Sequence, residues 1–478
     1  MISRKYLVTF IFLFCGMLLC NSQAMAQKIL PNSVRNFGAK GDSITDDTKA
    51  IQKAIDSGIG QIIFPSGEYR ITKTIEIELD QDGPVSLSGF GTATVIMNGA
   101  GPAFKFIGTH EGSASPSTVK NNVWKNQRMP LVDALEIVGR HPDAIGIEAT
   151  GTMDLTITRV QVREALHGIH LFNRNRNVII SECHIYHNQG IGIYLDAVNL
   201  HQINITNSHI SYNGGGGVVV RHGDVHNLQI GTCDIEVNMN RDGPPTANVL
   251  LDLSEGAMLE GAIVGCTVQH DHTVPGSSNI RFIGHGPDKR TEVGNLTIAD
   301  NNLSETQHNV DIKYGRGIIV TGNTFYMGMV HNILIEQSEN IMLANNILDK
   351  NPHYGTKIMN TKDGVVIRDS RNLTINGLHL CNTISEPAGI LLERCQNYNL
   401  VNSTILNCNE AGIVLRESEN GQVSGNFIND DRPEVVKPVA IKIQGGKGNL
   451  IINNYTNGAI DGEPGTATIV NNHSLIQY

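Results

Sequence analysis

The chain has 478 residues, of which 17 % are charged and 5 % aromatic, with 50 glycines and a formal net charge of −10. That balance argues against a nucleic-acid binder, which needs a basic face, but an acidic protein can still offer a locally basic groove to an anionic ligand. Few charges, few aromatics and many glycines suit short strands joined by tight turns.

The first 26 residues read as a secretory signal peptide. Arg4 and Lys5 make a positive start, Tyr6 to Leu19 is apolar, and Ala24-Met25-Ala26 is a small-x-small cleavage site before Gln27. Residues 27–478 are then the mature domain, periplasmic or secreted. A lipid anchor on Cys20 ranks second, because Leu19 stands where a small residue is usual. No later run of 18 apolar residues occurs, so no membrane-spanning helix is expected.

Next, Val34-Arg35-Asn36-Phe37-Gly38-Ala39-Lys40-Gly41-Asp42 leads into Thr45-Asp46-Asp47-Thr48. Thr45 is the predicted N-cap of a helix with Asp46 and Asp47 at its positive end. Ala50, Ile51, Ala54 and Ile55 are its apolar stripe. Ile62-Ile63-Phe64 and Pro65-Ser66-Gly67 follow as strand and turn. The aspartates of this stretch have capping and turn roles rather than metal-binding ones. Trp124, the sole tryptophan, is expected to anchor the loop Thr109 to Pro130.

From about residue 146 to 445 a strand of the form Gly/Asn-apolar-x-apolar returns every 22 to 32 residues. Examples are Gly168-Ile169-His170-Leu171, Gly192-Ile193-Tyr194-Leu195, Asn279-Ile280-Arg281-Phe282, Asn309-Val310-Asp311-Ile312 and Gly389-Ile390-Leu391-Leu392. A fixed period of this size marks a solenoid. In the coil 168–190, Ile169, Leu171, Val178, Ile180 and Ile185 are predicted to face inward, with a turn over Asn173 to Arg176. Three short strands per coil, each parallel to its equivalent in the next, make a single-stranded parallel β-helix of about 12 coils, with the N-terminal helix covering one end. Cys183, Cys233 and Cys266 fall at one coil position with Ser208, and are read as stacked buried thiols. A Cys233–Cys266 disulfide is the alternative that export permits. The same position becomes Asn301, Asn323, Asn345, Asn426 and Asn453, an internal amide ladder.

The segments VRNFGAKGDSITDDTKAIQKAID and IIFPSGEYRI resemble the N-terminal signature of the pectate lyase-like superfamily. That resemblance implies a right-handed parallel β-helix. It does not choose a reaction, because lyases, hydrolases and binding proteins share the fold.

Aligning the coils gives an outward row Phe172, Asp196, Arg221, Asp252, Ile283, Lys313, Glu336, Arg368, Glu393, Arg416. One pleat back runs His170, Tyr194, Val219, Leu250, Arg281, Asp311, Leu334, Val366. The long connections 238–247, 270–278 and 350–363 and the histidines His270, His272, His285, His308 and His331 gather around the middle of this face.

Three readings follow, all with a polysaccharide or oligosaccharide as partner. In a lyase on a uronate polymer, Arg281 or Arg221 pairs with the sugar carboxylate and Lys313 or Arg281 takes the C5 proton. Asp196, His285, His308, Glu336 and Arg368 would line the substrate. The resemblance permits, without requiring, calcium as a cofactor, held by Asp252, Asp311 and Glu336. In an inverting hydrolase, Asp252 and Asp311 would be the carboxylate pair. Gly284-His285-Gly286 resembles the Gly-His-Gly of polygalacturonases, without the preceding Asp-Asp pair and with Asp311-Ile312-Lys313 where that family has Arg-Ile-Lys. The third reading is a non-catalytic sugar-binding scaffold, which the poverty of aromatics disfavours.

Overall fold

The computed structural model describes residues 31–112, 114–270, 273–288, 293–350 and 361–474. The signal peptide, His272 and most of the 350–363 connection lie outside the described residues.

Every strand pairing is parallel, and each strand pairs with the equivalent strands one coil before and after. The coil beginning at Gly216 shows the plan. Its strands Gly216–Arg221, Asp224–Gly231 and Asp234–Glu236 stack on Ala247–Asp252, Ala257–Leu259 with Gly261–Val264, and Thr267–Gln269. Alternation sends Val218, Val220, Val225, Leu228 and Ile235 to a core in which each is fully buried. Each such side chain contributes roughly 1.5–3 kcal/mol. The core is thus a column along the axis, lined from three sides, and it continues from Val34 to Ile451.

The inward residues expected in the coil 168–190 are all buried. The turn is shorter than predicted. Asn173, with φ of 56°, makes the bend alone, and Arg174 to Arg176 continue the ladder beside Asn199 to His201.

The amide ladder is present with two corrections. Asn346 and Asn454 carry it, not Asn345 and Asn453. In each Asn-Asn pair the first residue takes the left-handed corner (φ 52° and 57°), where Asn is tolerated, so the second turns inward. A second ladder escaped the sequence reading. Asn188, Asn213, Asn238, Asn248, Asn279, Asn309 and Asn332 lie buried where the first strand of each coil begins, joined amide to amide at 2.7–2.8 Å. It holds the strands that carry the charged rows at a constant height.

At the N-terminal end the helix Thr48–Asp56 buries Ile51, Ala54 and Ile55. Thr45 is not its cap. It lies in the strand Asp42–Asp46, and its amide and hydroxyl donate to Asp42. Asp47 precedes the helix but accepts from the backbone of Lys40 and Gly41. Trp124 is 45 % exposed; Val119 and Val123, packed on Met153, anchor its loop instead. All six described cysteines are free thiols, and Cys183, Cys233 and Cys266 are buried.

Candidate functional site

Both outward rows are in register as the sequence alignment has them. Asp196, Arg221, Asp252, Ile283, Lys313, Glu336 and Arg368 are successive Cα partners, as are His170, Tyr194, Val219, Leu250, Arg281 and Asp311. Neighbouring coils are about 4.8 Å apart.

The centre of the face is built around Arg281. Its Nε donates to Asp311 Oδ2 at 2.8 Å, and its Nη2 donates to Ser278 Oγ at 2.8 Å and to the Gly276 carbonyl at 2.6 Å. The guanidinium therefore folds back along its own strand and lies over Ser278. The Arg281 and Asp311 side chains are 13 % and 17 % exposed. Gly276 has φ of 70°, and a Cβ there would come within 3.3 Å of Pro245, so the 238–247 and 270–278 connections meet above this point.

Ser278 is the register partner of His308, and His308 of His331. The two imidazoles stack with centroids 5.2 Å apart and Nδ1 atoms 3.1 Å apart. Burial, with the neighbouring His308, Arg368 and Lys362 charges, pushes His331 down to about 3. Burial also lowers His308, where Arg281 adds to the effect and Asp311 and Glu336 oppose it. Both rings are therefore neutral near pH 7. Lys313 stands at the far end of the strand, five residues or about 16 Å along from His308. Its Nζ lies 5.2 Å from the Tyr314 ring centroid, and no carboxylate pairs with it among the described residues.

Nearer the N-terminus the face carries a closed chain of charges. Lys105 Nζ is 2.9 Å from Glu148 Oε1, and His170 lies between Glu148 Oε2 at 3.1 Å and Asp196 Oδ2 at 3.2 Å. Burial opposes the charge on His170, but bonds to the two carboxylates outweigh it and raise the pKa. Tyr194 stacks on His170 at 5.3 Å, and Arg221 Nε is 3.8 Å from Asp252 Oδ2. Lys105 was missed in the sequence because its coil precedes the regular repeat, and Glu148, in the first repeat, because the aligned row was begun one coil later at His170; their alternation with buried Phe104, Phe106 and Ile147 was the available signal. Between the two charged groups lies an apolar patch of Ile191, Val219, Ala247 and Leu250.

Several predicted residues are not brought together. Asp252 and Asp311 are two coils and one pleat apart, about 12 Å between backbones. Asp311 is bound to Arg281, and Asp252 Oδ1 accepts from Ser254 Oγ at 2.7 Å. An inverting pair stands closer, at roughly 6.5–9.5 Å between carboxyls, with room for water between. Glu336 pairs with Arg368 at 3.4 Å. The three carboxylates assigned to calcium are thus each engaged in a separate coil, and among the described residues no three His, Cys, Asp or Glu side chains form a metal-binding group. His285 leaves the face: its Nε2 meets the Gly256 carbonyl at the corner after the strand Ser278–Ile283. His270 pairs with Glu236 and Glu305. Arg368 continues a ladder to Glu393 at 3.1 Å. No helix among the described residues is long and apolar enough to cross a membrane.

Residues 262–472 match the family model described as periplasmic copper-binding protein (NosD), and residues 96–242 match right handed beta helix region. Alginate lyase 7 of Azotobacter vinelandii is 57 % identical over 44 residues, 8 % of this chain and 5 % of that protein. Mannuronan C5-epimerase AlgE6 of the same organism is 30 % identical over 179 residues, 34 % of this chain and 20 % of that protein. The chain therefore spans a fifth or less of these relatives' length. The solved structure of pre-mature bacteriophage phi29 gene product 12 aligns with a TM-score of 0.55 at 15 % identity, covering 93 % of this chain and 64 % of that one, a likeness of fold. Among the described residues of 262–472 no donor set suits copper: the His308–His331 pair has no third ligand there, because Asp311 belongs to Arg281, and Cys266, Cys395 and Cys408 are buried thiols. Parallel pairing coil after coil, with residues 96–242 matched to a right handed beta helix region, gives this chain a right-handed parallel β-helix fold.

Proposed function

We propose that this chain is an exported protein that removes the C5 proton of a uronate residue in an acidic polysaccharide, with β-elimination as the outcome. The observation that carries the reading is the Arg281 guanidinium folded back beside a neutral imidazole pair. A carboxylate bound at Nη1 of Arg281 loses part of its charge to the guanidinium, which makes the adjacent C–H more acidic. His308, neutral and next to that carboxylate, takes the proton. The electron pair forms the C4–C5 double bond, the C4–oxygen bond breaks, and the leaving oxygen takes a proton from solvent. Arg281 itself is held by three partners, so its role is to bind and polarise rather than to act as base. Lys313, without a carboxylate partner among the described residues, holds the acid group of another sugar along the strand.

The names of the alginate-acting relatives support a uronate as substrate. The signal-like N-terminus and the periplasmic family name support export. The stacked imidazoles also favour a second reading, in which the proton returns to C5 from the other face and the sugar is epimerised. Incubation with alginate, polygalacturonate and rhamnogalacturonan separates them. A lyase releases an unsaturated uronate that absorbs in the ultraviolet. An epimerase changes the sugar's proton spectrum and incorporates solvent deuterium at C5 without cleavage. Reducing ends without ultraviolet absorbance would identify a hydrolase and overturn both. His308→Ala should remove either proton-transfer activity while leaving polymer binding intact.

A further inference from the structure

A second cluster lies around the bend at Asn173, on the neighbouring sheet and outside the face described above. The connection that leaves the strand Gly101–Ile107 folds over this sheet. It is tied down by Gln127, which accepts from the Thr109 amide at 2.8 Å and donates to Asp80 Oδ1 at 2.9 Å. Val119 and Val123 seat it on Met153. Met153 heads a vertical column, in register with Arg176, then His201, then His226. Arg174 stands beside that column, in register with Asn199.

Under the connection, His110 is 1 % exposed, and neither of its ring nitrogens has a hydrogen-bond partner. Nε and Nη2 of Arg174 are buried and unpartnered as well, as is Nδ1 of His201. Arg174 keeps one bond, from Nη1 to the Asn199 side chain. Arg176 Nη1 donates to the Ala114 carbonyl, which fixes the second guanidinium to the same connection. No carboxylate pairs with Arg174 among the described residues. Glu260 is the acid whose charge reaches His201, and it is exposed.

Buried polar atoms in folded proteins are almost always hydrogen-bonded, and buried cations almost always paired. Here guanidinium and imidazole nitrogens close enough to feel each other's charge lie buried without an acceptor among the described residues, and the surrounding charge is positive. Burial and the charges of Arg174 and Arg176 together press His110 down to about 4. Such a set lacks only an acceptor. Arg174 offers two adjacent N–H groups in a planar fork, the geometry that matches two oxygens of one oxyanion. His110 and His201 each offer an N–H without needing to be charged. Arg174 as a whole is only partly buried, and Asn199 beside it is exposed, so the edge of the cluster lies near the surface.

We infer that Arg174, His110 and His201, with Arg176 behind them, form an oxyanion-binding site beneath the 109–127 connection. The ligand is a carboxylate, sulfate or phosphate group. Its source is either a free inorganic anion or the acid group of a sugar chain passing around the corner from the candidate cleft. The site does not depend on the proton-transfer reading, and it is tested without any turnover assay.

The test is thermal unfolding of the full chain with sodium sulfate, inorganic phosphate, glucuronate or chloride at matched ionic strength. The expected result is a saturable rise in Tm with at least one oxyanion and none with chloride. Arg174→Met abolishes the saturable part, and Arg174→Lys, which keeps the charge but loses the fork, weakens Kd at least tenfold. Sulfate and phosphate acting without glucuronate identify a free inorganic anion. Glucuronate that binds in competition with sulfate identifies a sugar acid. An equal rise with chloride, or an unchanged saturable rise in Arg174→Met, overturns the site. Should that variant fail to fold, a crystal of the unaltered protein soaked in selenate decides. An anomalous peak within hydrogen-bond distance of Arg174 supports the site, and its absence at saturating selenate overturns it.

Discussion

Replacing Arg281 by Met tests whether the centre of the face is held by its ion pair. The change removes the 2.8 Å bond to Asp311, the 2.8 Å bond to Ser278 and the 2.6 Å bond to the Gly276 carbonyl. Asp311, 17 % exposed, keeps only a long contact with Ser278 Oγ at 3.4 Å. Removing one partner of a buried pair costs about 3–5 kcal/mol when the other charge is left uncompensated. Water reaches the edges of this pair, so about 2–3 kcal/mol is expected. Adding Asp311→Leu to Arg281→Met removes the stranded carboxylate. The double variant should therefore be more stable than the sum of the singles by about 1–2 kcal/mol, a coupling that urea unfolding measures. Activity behaves differently. The double variant lacks the guanidinium proposed to bind the sugar acid and should stay as inactive as Arg281→Met. A loss below about 0.5 kcal/mol for Arg281→Met, within the range of ordinary surface substitutions, would refute the structural argument. Recovery of turnover in the double variant would refute the functional one.

Four further outcomes follow. Asn323→Ala leaves the Asn301 amide without its acceptor and the Ile298 carbonyl without its donor, both in the core. A cost of about 3 kcal/mol is expected, read as roughly hundredfold faster hydrogen exchange at Asn301; unchanged exchange would show that the ladder is dispensable. Lys313→Met should raise KM for polymers more than for short oligomers, because it loses one distal carboxylate contact, and an equal effect on both would remove Lys313 from substrate binding. His331, at about 3, and His110 and His167, at about 4, stay neutral in the fold while the unfolded chain protonates near 6.5, so stability falls as pH drops from about 6.5 toward 4. His170 acts in the opposite sense. Its raised pKa adds stability that is complete below 6.5 and lost as pH rises through the folded value, so the urea midpoint at pH 5 should lie below that at pH 7.5 by less than three histidines alone would produce. Finally, a thiol reagent should label Cys381 first in the native protein, since Cys183, Cys233, Cys266, Cys395 and Cys408 are buried; fast labelling of any of those five would contradict the packing.

What the amino-acid order determined by itself is the repeat and its consequences. The spacing of Ile169, Ile193, Val218, Val249, Ile280 and Val310 predicts which side chains face in, and parallel stacking then obliges Asp196, Arg221, Asp252, Ile283 and Lys313 to align. Period-two alternation and a buried strand that recurs in every coil leave no other register without exposing the core. Within an Asn-Asn pair the same logic loses its grip, because both residues suit a corner; only the backbone shows that Asn345 takes the left-handed position and Asn346 the ladder. The partners of each charge were also beyond the sequence. A row of alternating charges is compatible with a free cleft or a closed ladder. The fold decides between them by the direction in which each long side chain lies. It bends Arg281 back over Ser278, closes Lys105, Glu148, His170 and Asp196 into one chain, and leaves Lys313 open. The cluster inferred to bind an oxyanion is the clearest case, since His110 comes under the charge of Arg174 only because an irregular connection folds around a corner, and irregular connections carry no period from which their path can be read.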